Sequence, residues 1–449
     1  MTLVTLSLTL DAPALDGSSA WSTFESLAVR MSRDVPAAVL ATTLEELQVE
    51  LLDRVCGPKW APMRGLPAPF ACPGCGASSD FARKGWRTRA RRFDTSAGVI
   101  NVRLAHVGCR RCSKVFAPLL IMWGLSGKRR TDRLTLDLAD LAAQMSFARA
   151  AKVAVGFGRQ ASAGGAHGAV AEVAGMLRGN TASLGPGAQS APVVILDGTR
   201  VRAGTNRLGT QANLAIGLHG RSGPRRRRRA HTSLLGVTVG QEWTAMASQL
   251  TGLPAPALVV VDGEPAITVL AQRLWPGVAL QRCWWHLGRG FRWALYADKA
   301  SPKWATDARD HLLGICRRSL AEEWAIDEAL YVFDEFATEV ADHDYHATTE
   351  LLAGARDQTF TCLDRDLRRR LHALDGPELG SGVLERVMRD LNARTDIGGA
   401  RWSIPGLRDL VTVTLARRFD HPAWQHLRQS LRPDVDIPIR VAKFNGRWC

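Results

Sequence analysis

Apolar positions along the chain follow two rhythms, and the switch between them divides it. From 37 to 55, Leu40, Leu44, Leu47 and Leu51 recur at helical spacing, which predicts one amphipathic helix suited to packing or dimerisation. Helical spacing returns at 133–144, with Leu134, Leu138, Leu141 and Met145 as its stripe, and again at 147–155 and 168–177. From Pro192 the runs become short and continuous, as buried strands require. Strands are predicted at 192–196, 212–218 and 232–239, then a helix at 243–253, a strand at 257–261, a helix at 265–274 and a strand at 278–283. Only helical patterns follow from about 288 to 374, before two final helices at 382–394 and 405–419.

Punctuation sets the domains. Gly65, Pro67 and Pro69 mark one boundary, and the Gly/Ala/Ser-rich stretch 179–190 reads as a linker. The expected division is a helical segment at 1–65, a cysteine-bounded module at 66–125 and a helix-turn-helix-like unit with its linker at 126–185. An α/β domain at 190–425 follows, with a helical insertion at about 288–376, and a basic tail at 426–449. In the helix-turn-helix-like unit the third helix, from Ala166, would enter the major groove, although no base-reading Arg, Asn or Gln stands out there.

Cys72-Pro-Gly-Cys75 and Cys109-Arg-Arg-Cys112 form two C-x2-C knuckles 33 residues apart. Four thiolates suit the tetrahedral, soft-ligand preference of zinc, and a two-residue gap lets both sulfurs of a knuckle reach one ion. One structural Zn2+ in a zinc ribbon is expected, closed to catalysis, ordering a module too small to fold on its own core.

The sharper chemical signal is a repeated design. Val193-Val194-Ile195-Leu196 leads into Asp197-Gly198, and Leu258-Val259-Val260-Val261 leads into Asp262-Gly263. Two buried strands side by side would bring these carboxylates together, and close like charges are unfavourable unless divalent cations neutralise them. Asp-Gly after a strand is also ordinary turn chemistry. Glu385, in a helix whose Leu384, Met388 and Leu391 form a core face, is the candidate third acid; it could equally pair with Arg389 on a solvated face. The order of three strands, helix, strand, helix, strand is that of an RNase H-like sheet.

The segments around Asp197, Asp262, Cys283-Trp-Trp-His286 and 385–403 resemble DDE transposases of the Mutator-like type found in bacterial insertion sequences, over roughly residues 190–420. The spacings agree: 65 positions from Asp197 to Asp262 and 123 from Asp262 to Glu385, the longer gap holding a helical insertion. The resemblance implies that Asp197, Asp262 and Glu385 bind two Mg2+ ions for cleavage of DNA and attack by the freed 3′-OH. It gives the C-x2-H pair, Cys283 and His286, a structural or DNA-proximal role; the residues alone read as a packed Cys and a core His. Arg386 stands where some relatives have Asn, and Trp402-Ser403 points to a less familiar subgroup.

Charge agrees with a polyanionic partner: 58 basic residues against 43 acidic leave +15, with a pI near 10. The run Arg225, Arg226, Arg227, Arg228, Arg229 is a candidate phosphate-binding loop, or else a solvated one. Arg401 and Trp402 are candidate contacts to a strand end, Trp402 by stacking on an unpaired base or otherwise as a core anchor. Expected partners are double-stranded DNA and a second copy of the chain, in a dimer or larger synaptic assembly. A membrane is not among them: the most lipid-like run, 115–123, contains Pro118 and is too short to span a bilayer. A cytoplasmic, nucleoid-associated enzyme is expected. The rivals are a non-catalytic DNA-binding regulator, a domesticated transposase, and a structure-specific nuclease.

Overall fold

A computed structural model of the chain describes residues 20–179, 191–203, 209–222, 229–371, 382–397 and 400–432. The described residues fall into two compact units, one within Met1–Val173 and Arg428–Cys449, the other within Ala174–Leu427.

In the first unit, α1 (Ala20–Cys56) begins 17 residues before the predicted helix and runs through Pro36. Five short strands follow: β1 (Phe81–Trp86), β2 (Arg91–Thr95), β3 (Gly98–Val102), β4 (Ala105–Cys109) and β5 (Val115–Phe116). They make a three-stranded antiparallel sheet, β1-β4-β5, and a β2–β3 hairpin. The expected boundary at residue 65 does not separate two cores. Leu52, Val55 and Cys56 of α1 are buried with Phe70, Phe81, Val107 and Phe116, and Leu44 is buried with Phe93, Ile100 and Val102. A module of so few residues has little interior of its own, so the helix supplies a wall of it. Buried Gln48 joins the two: its amide donates to the Leu44 and Arg103 carbonyls and accepts from the Ala105 N–H.

Helices α2 (Pro118–Met122), α3 (Asp132–Ala142), α4 (Phe147–Gly156) and α5 (Ala163–Gly179) follow. Thr131 caps α3 and Ser146 caps α4, each hydroxyl accepting an N–H three residues on. The helix expected at 168–177 is longer, because Ser162 accepts the Gly165 N–H and starts it early.

The second unit is a mixed α/β structure around a five-stranded sheet. Its strands are β6 (Val193–Val201), β7 (Thr210–Ser222), β8 (Arg229–Val239), β9 (Leu258–Val261) and β10 (Ala279–Arg282), in the order β10-β9-β6-β7-β8. β6, β9 and β10 are mutually parallel, while β7 is antiparallel to both β6 and β8. A 3-10 turn (Trp243–Met246) leads into α6 (Ala247–Leu250), and α7 (Pro265–Leu274) joins β9 to β10. Val194, Leu196, Ala215, Leu235, Val259, Val261 and Leu280 bury one face of the sheet against Trp243, Met246, Leu250, Ile267 and Trp275. The order of elements is the one read from the apolar runs.

A helical group follows: α8 (Trp284–Ala297), α9 (Pro302–Ala321), α10 (Ile326–Ala341), α11 (His346–Thr359) and α12 (Arg365–Arg370). Leu287, Phe291, Leu312, Ile315, Phe333, Phe336 and Leu352 form its core. Gln281 of β10 ties it to the sheet edge, donating to the Thr359 carbonyl at 2.8 Å and accepting the Cys362 N–H at 2.8 Å. The chain then forms α13 (Gly382–Thr395), α14 (Ile404–Arg418) and α15 (Pro422–Leu431). The basic tail expected from 426 therefore starts inside a helix, and 433–449 lies outside the described residues, as does most of the 179–190 linker. Among the described residues no helix is long and apolar enough to cross a membrane.

α11 has no capping side chain of its own, since Tyr345 sits at its N-cap. Asp298, just past α8, acts in its place, accepting the N–H groups of Ala347 and Thr348 and the Thr348 hydroxyl at 2.7–3.1 Å. Burial opposes its charge, but these bonds outweigh that and hold its pKa below the usual 3.8. A depressed carboxylate pKa stabilises the fold above the unfolded value and is lost as pH falls through the folded one. Asp298→Ala should therefore cost about 1–2 kcal/mol at pH 7 in urea denaturation, with the difference from the parent shrinking below pH 4.

Candidate active site and metal centre

The four predicted cysteine ligands come together. Cys72 and Cys75 lie in the loop before β1, Cys109 ends β4, and Cys112 follows in the turn to β5. Pairing of Phe81 with Cys109 brings the second knuckle beside the first. The Cys72 and Cys112 sulfurs are 3.6 Å apart, as are those of Cys75 and Cys109, and all four lie within 4.8 Å of one another. Four sulfurs each about 2.3 Å from a central ion would have this spacing. The Gly74 N–H points at the Cys72 sulfur at 3.4 Å, and Gly76, with φ of 72°, turns the loop back. Burial works against charge on Cys72, but the N–H groups of Gly74 and Cys75 and the neighbouring thiols bring its pKa down to about 7. The cluster can hold a metal ion such as zinc.

The acidic residues are organised by strand register. β6 and β9 are parallel, with Val193 opposite Leu258 and Leu196 opposite Val261. Asp197 is the next residue of β6, and Asp262 is the residue just past the end of β9. Leu196 and Val261 point into the apolar core, so alternation sends both aspartates to the other face of the sheet, on strands about 4.8 Å apart. Asp262 is a true strand end: its carboxylate accepts the Glu264 N–H at 2.7 Å, and Gly263 turns at φ of 98°. A Cβ on Gly263 would sit on the Arg282 guanidinium, so glycine there serves both the turn and that close approach. Asp197 differs from expectation, because β6 does not end at Asp197-Gly198. β7 is long enough to pair with all of it, Asp197 opposite Leu214 and Val201 opposite Thr210, so Asp197 lies in mid-strand and is only 3% exposed.

Burial pushes the Asp197 pKa up to about 7; Asp262 adds to this, the Gly198 N–H and Arg289 oppose it, and Glu385 adds a smaller push. Burial also raises Asp262, against the Glu264 N–H, Arg282 and Arg289. α13 packs on β6, where Asn392 donates to the Thr199 hydroxyl at 3.2 Å. Glu385 lies seven residues before Asn392 and so on the same side of the helix. It is half-buried and felt by Asp197. The three acids do not form a cluster of ligand atoms close enough to hold a metal ion; among the described residues only the four cysteines do.

Cys283 and His286 flank the aspartates. Cys283 is fully buried at the N-cap of α8, its N–H donating to the Val261 carbonyl. His286, one turn in, places Nε2 3.8 Å from an Asp197 oxygen. Burial, then Arg289 and Arg282, lower its pKa to about 4, so the imidazole is neutral at pH 7. Arg282 and Arg289 were missed by the sequence reading. Arg282 ends a strand and Arg289 follows His286 by three, a helical spacing that is the only available hint.

The DNA-contact candidates fare differently. Arg401 is exposed. Trp402 is corrected: it is buried, its indole N–H donates to the Thr395 carbonyl at 2.9 Å and Arg394 covers its ring, so it anchors the core and offers no open face for a base. Arg225, Arg226, Arg227 and Arg228 lie outside the described residues, and Arg229 opens β8. Compared with family models and with curated proteins, the chain matches none.

Two outcomes follow from this geometry. Metal analysis of the purified protein should find zinc, and Cys109→Ser should lose it and melt the first unit at lower temperature; unchanged zinc content would remove the cluster's assigned role. In the second unit, folded Asp197 keeps its proton to about pH 7, whereas the unfolded residue releases it near 3.8. The folded state thus binds the extra proton, and its stability falls as pH rises between these values. Asp197→Asn should raise the metal-free melting temperature by about 5 °C at pH 8 and by little at pH 4. A variant that melts lower at pH 8 would contradict the buried, repelled carboxylate.

Proposed function

We propose that this chain is a DNA transposase, in which Asp197, Asp262 and Glu385 cleave and join DNA strands with divalent cations, most simply two Mg2+. The observation that carries the reading is the pair of carboxylates on one face of adjacent parallel strands, with Asp197 buried enough to be pushed up to about 7. A buried, mutually repelling acidic pair is a poor structural element and a good cation site. The sheet supports the reading as well: its first three strands form an antiparallel meander and its last two run parallel to the first, an arrangement compatible with the proposed RNase H-like fold.

When bound, paired magnesium ions supply activation of the attacking oxygen and stabilisation of the leaving one. The chain's own residues do the rest. Asp197 and Asp262 would hold the cations from the sheet, with Glu385 on α13 as the third ligand. Neutral His286 gives Asp197 a polar neighbour without a competing charge. The charge of Arg282 partly offsets that of Asp262, and Arg289, exposed near both aspartates, is placed for a scissile phosphate. In this reading the four cysteines are a zinc ribbon, α3 to α5 a helix-turn-helix-like module, and the +15 charge binds phosphates without reading sequence.

The test uses DNA carrying the sequences that flank the gene. With Mg2+ the parent should nick these ends, while Asp197→Asn and Glu385→Gln should slow cleavage at least about a hundredfold with end binding nearly unchanged. Magnesium should raise the melting temperature of the parent but not of Asp197→Asn. Binding without cleavage by the parent would make the chain a regulator, and cleavage without joining a nuclease.

A further inference from the structure

We propose that the outer face of α8 is a stacking track for an unpaired DNA strand leading to the carboxylate site, an inference that rests on the DNA-processing reading above. The helix begins at that site, with His286 in its first turn beside Asp197. Trp285, Arg289, Arg292, Trp293 and Tyr296 fall within about 100° of helix circumference and so share one face.

That face is built unlike a core-facing one. Trp285 is 50% and Trp293 67% exposed, whereas the adjacent Trp284 packs toward the helical core and donates its N–H to the Thr359 carbonyl. The rings are interleaved with cations: the Arg289 guanidinium lies 4.7 Å from the centre of the exposed Trp285 ring, and that of Arg292 5.4 Å from half-buried Tyr296. Trp293 meets Tyr296 edge-on at 6.0 Å, and Trp285 meets His286 edge-on at 4.8 Å. α8 contains no Asp or Glu.

Alternating guanidinium groups and exposed tryptophans match the two things a single strand offers, a phosphate chain and open base faces. A duplex hides its base faces, and an apolar protein partner would gain little from the arginines. From Trp285 to Trp293 the helix rises about 12 Å, the run of three or four nucleotides at about 3.4 Å per phosphate. A strand end opened for cleavage would therefore be gripped by its bases while its phosphate reaches Arg289 and the aspartates.

The test is metal-free binding of a fluorescent oligothymidylate of roughly 12 nucleotides, beside a flush duplex of the same length. Trp285→Ala and Trp293→Ala should each weaken single-strand binding about tenfold, with duplex binding held within about twofold. Trp293→Phe should restore most of the loss. Arg292→Gln should instead flatten the salt dependence by about 0.7 in log–log slope, which the tryptophan variants leave alone. Unchanged single-strand affinity in both alanine variants overturns the track, as does equal loss on both DNAs. Conversion of a dimer to a monomer in light scattering, with single-strand affinity retained, also overturns it and makes the stripe a contact between copies. No cleavage is needed for these measurements. A parent that cuts DNA while its alanine variants bind normally removes only the track; one that binds through the tryptophans and never cuts removes only the enzyme.

Discussion

The parallel pairing of β6 with β9 is the constraint on which the candidate site depends. Side chains alternate across a sheet, so a slip of one residue between these strands would send one aspartate into the apolar core and leave the other outside. The register is held by what lies on the opposite face. Val194, Leu196, Val259 and Val261 are packed against Trp243, Met246 and Ile267, and moving any of them outward would expose a whole row of core residues. The apolar side of the sheet thus sets the position of the polar side, and two carboxylates 65 residues apart become neighbours.

Holding them there has an electrostatic cost, and the surroundings show how it is met. Neither aspartate is left wholly without compensation: each accepts a local backbone N–H, from Gly198 and Glu264 respectively. Arg282 lies across Gly263 close to Asp262, and Arg289 reaches toward both from α8. These contacts fall short of full neutralisation, since both carboxyl groups are still pushed upward. A fold that wanted only stability would put an Asn or a Leu at such a position. The helical group contributes through Gln281, whose bonds to Thr359 and Cys362 fix the edge strand from which α8, and with it His286 and Arg289, departs.

The first unit solves a different problem, that of too little core. Its strands are two to six residues long, and their interior is completed by α1 on one side and by four clustered thiols at the loop end. Gln48 makes the helix part of the strand network, its side chain bonding the Arg103 carbonyl and the Ala105 N–H across from α1. The cysteine end and the helix end therefore support one module from opposite directions.

Local chemistry was legible in the chain itself. Apolar runs of four to five residues can only be buried strands or short helix segments, and their spacing yielded the order of the second unit. Two C-x2-C pairs specify a ligand set because the two-residue gap within each pair lets both thiols reach one ion. Asp197 and Asp262 announced themselves by following such runs. What the chain could not disclose were relations between distant segments: that β7 would carry β6 on past Asp197, that α1 would enter the cysteine module's core, that Trp402 would be covered while Trp285 and Trp293 stayed open, and that Arg282 and Arg289 would face the aspartates. Each depends on which surfaces meet after collapse, and burial, register and the field at a carboxyl group are properties of that meeting, with no counterpart in the linear order of residues.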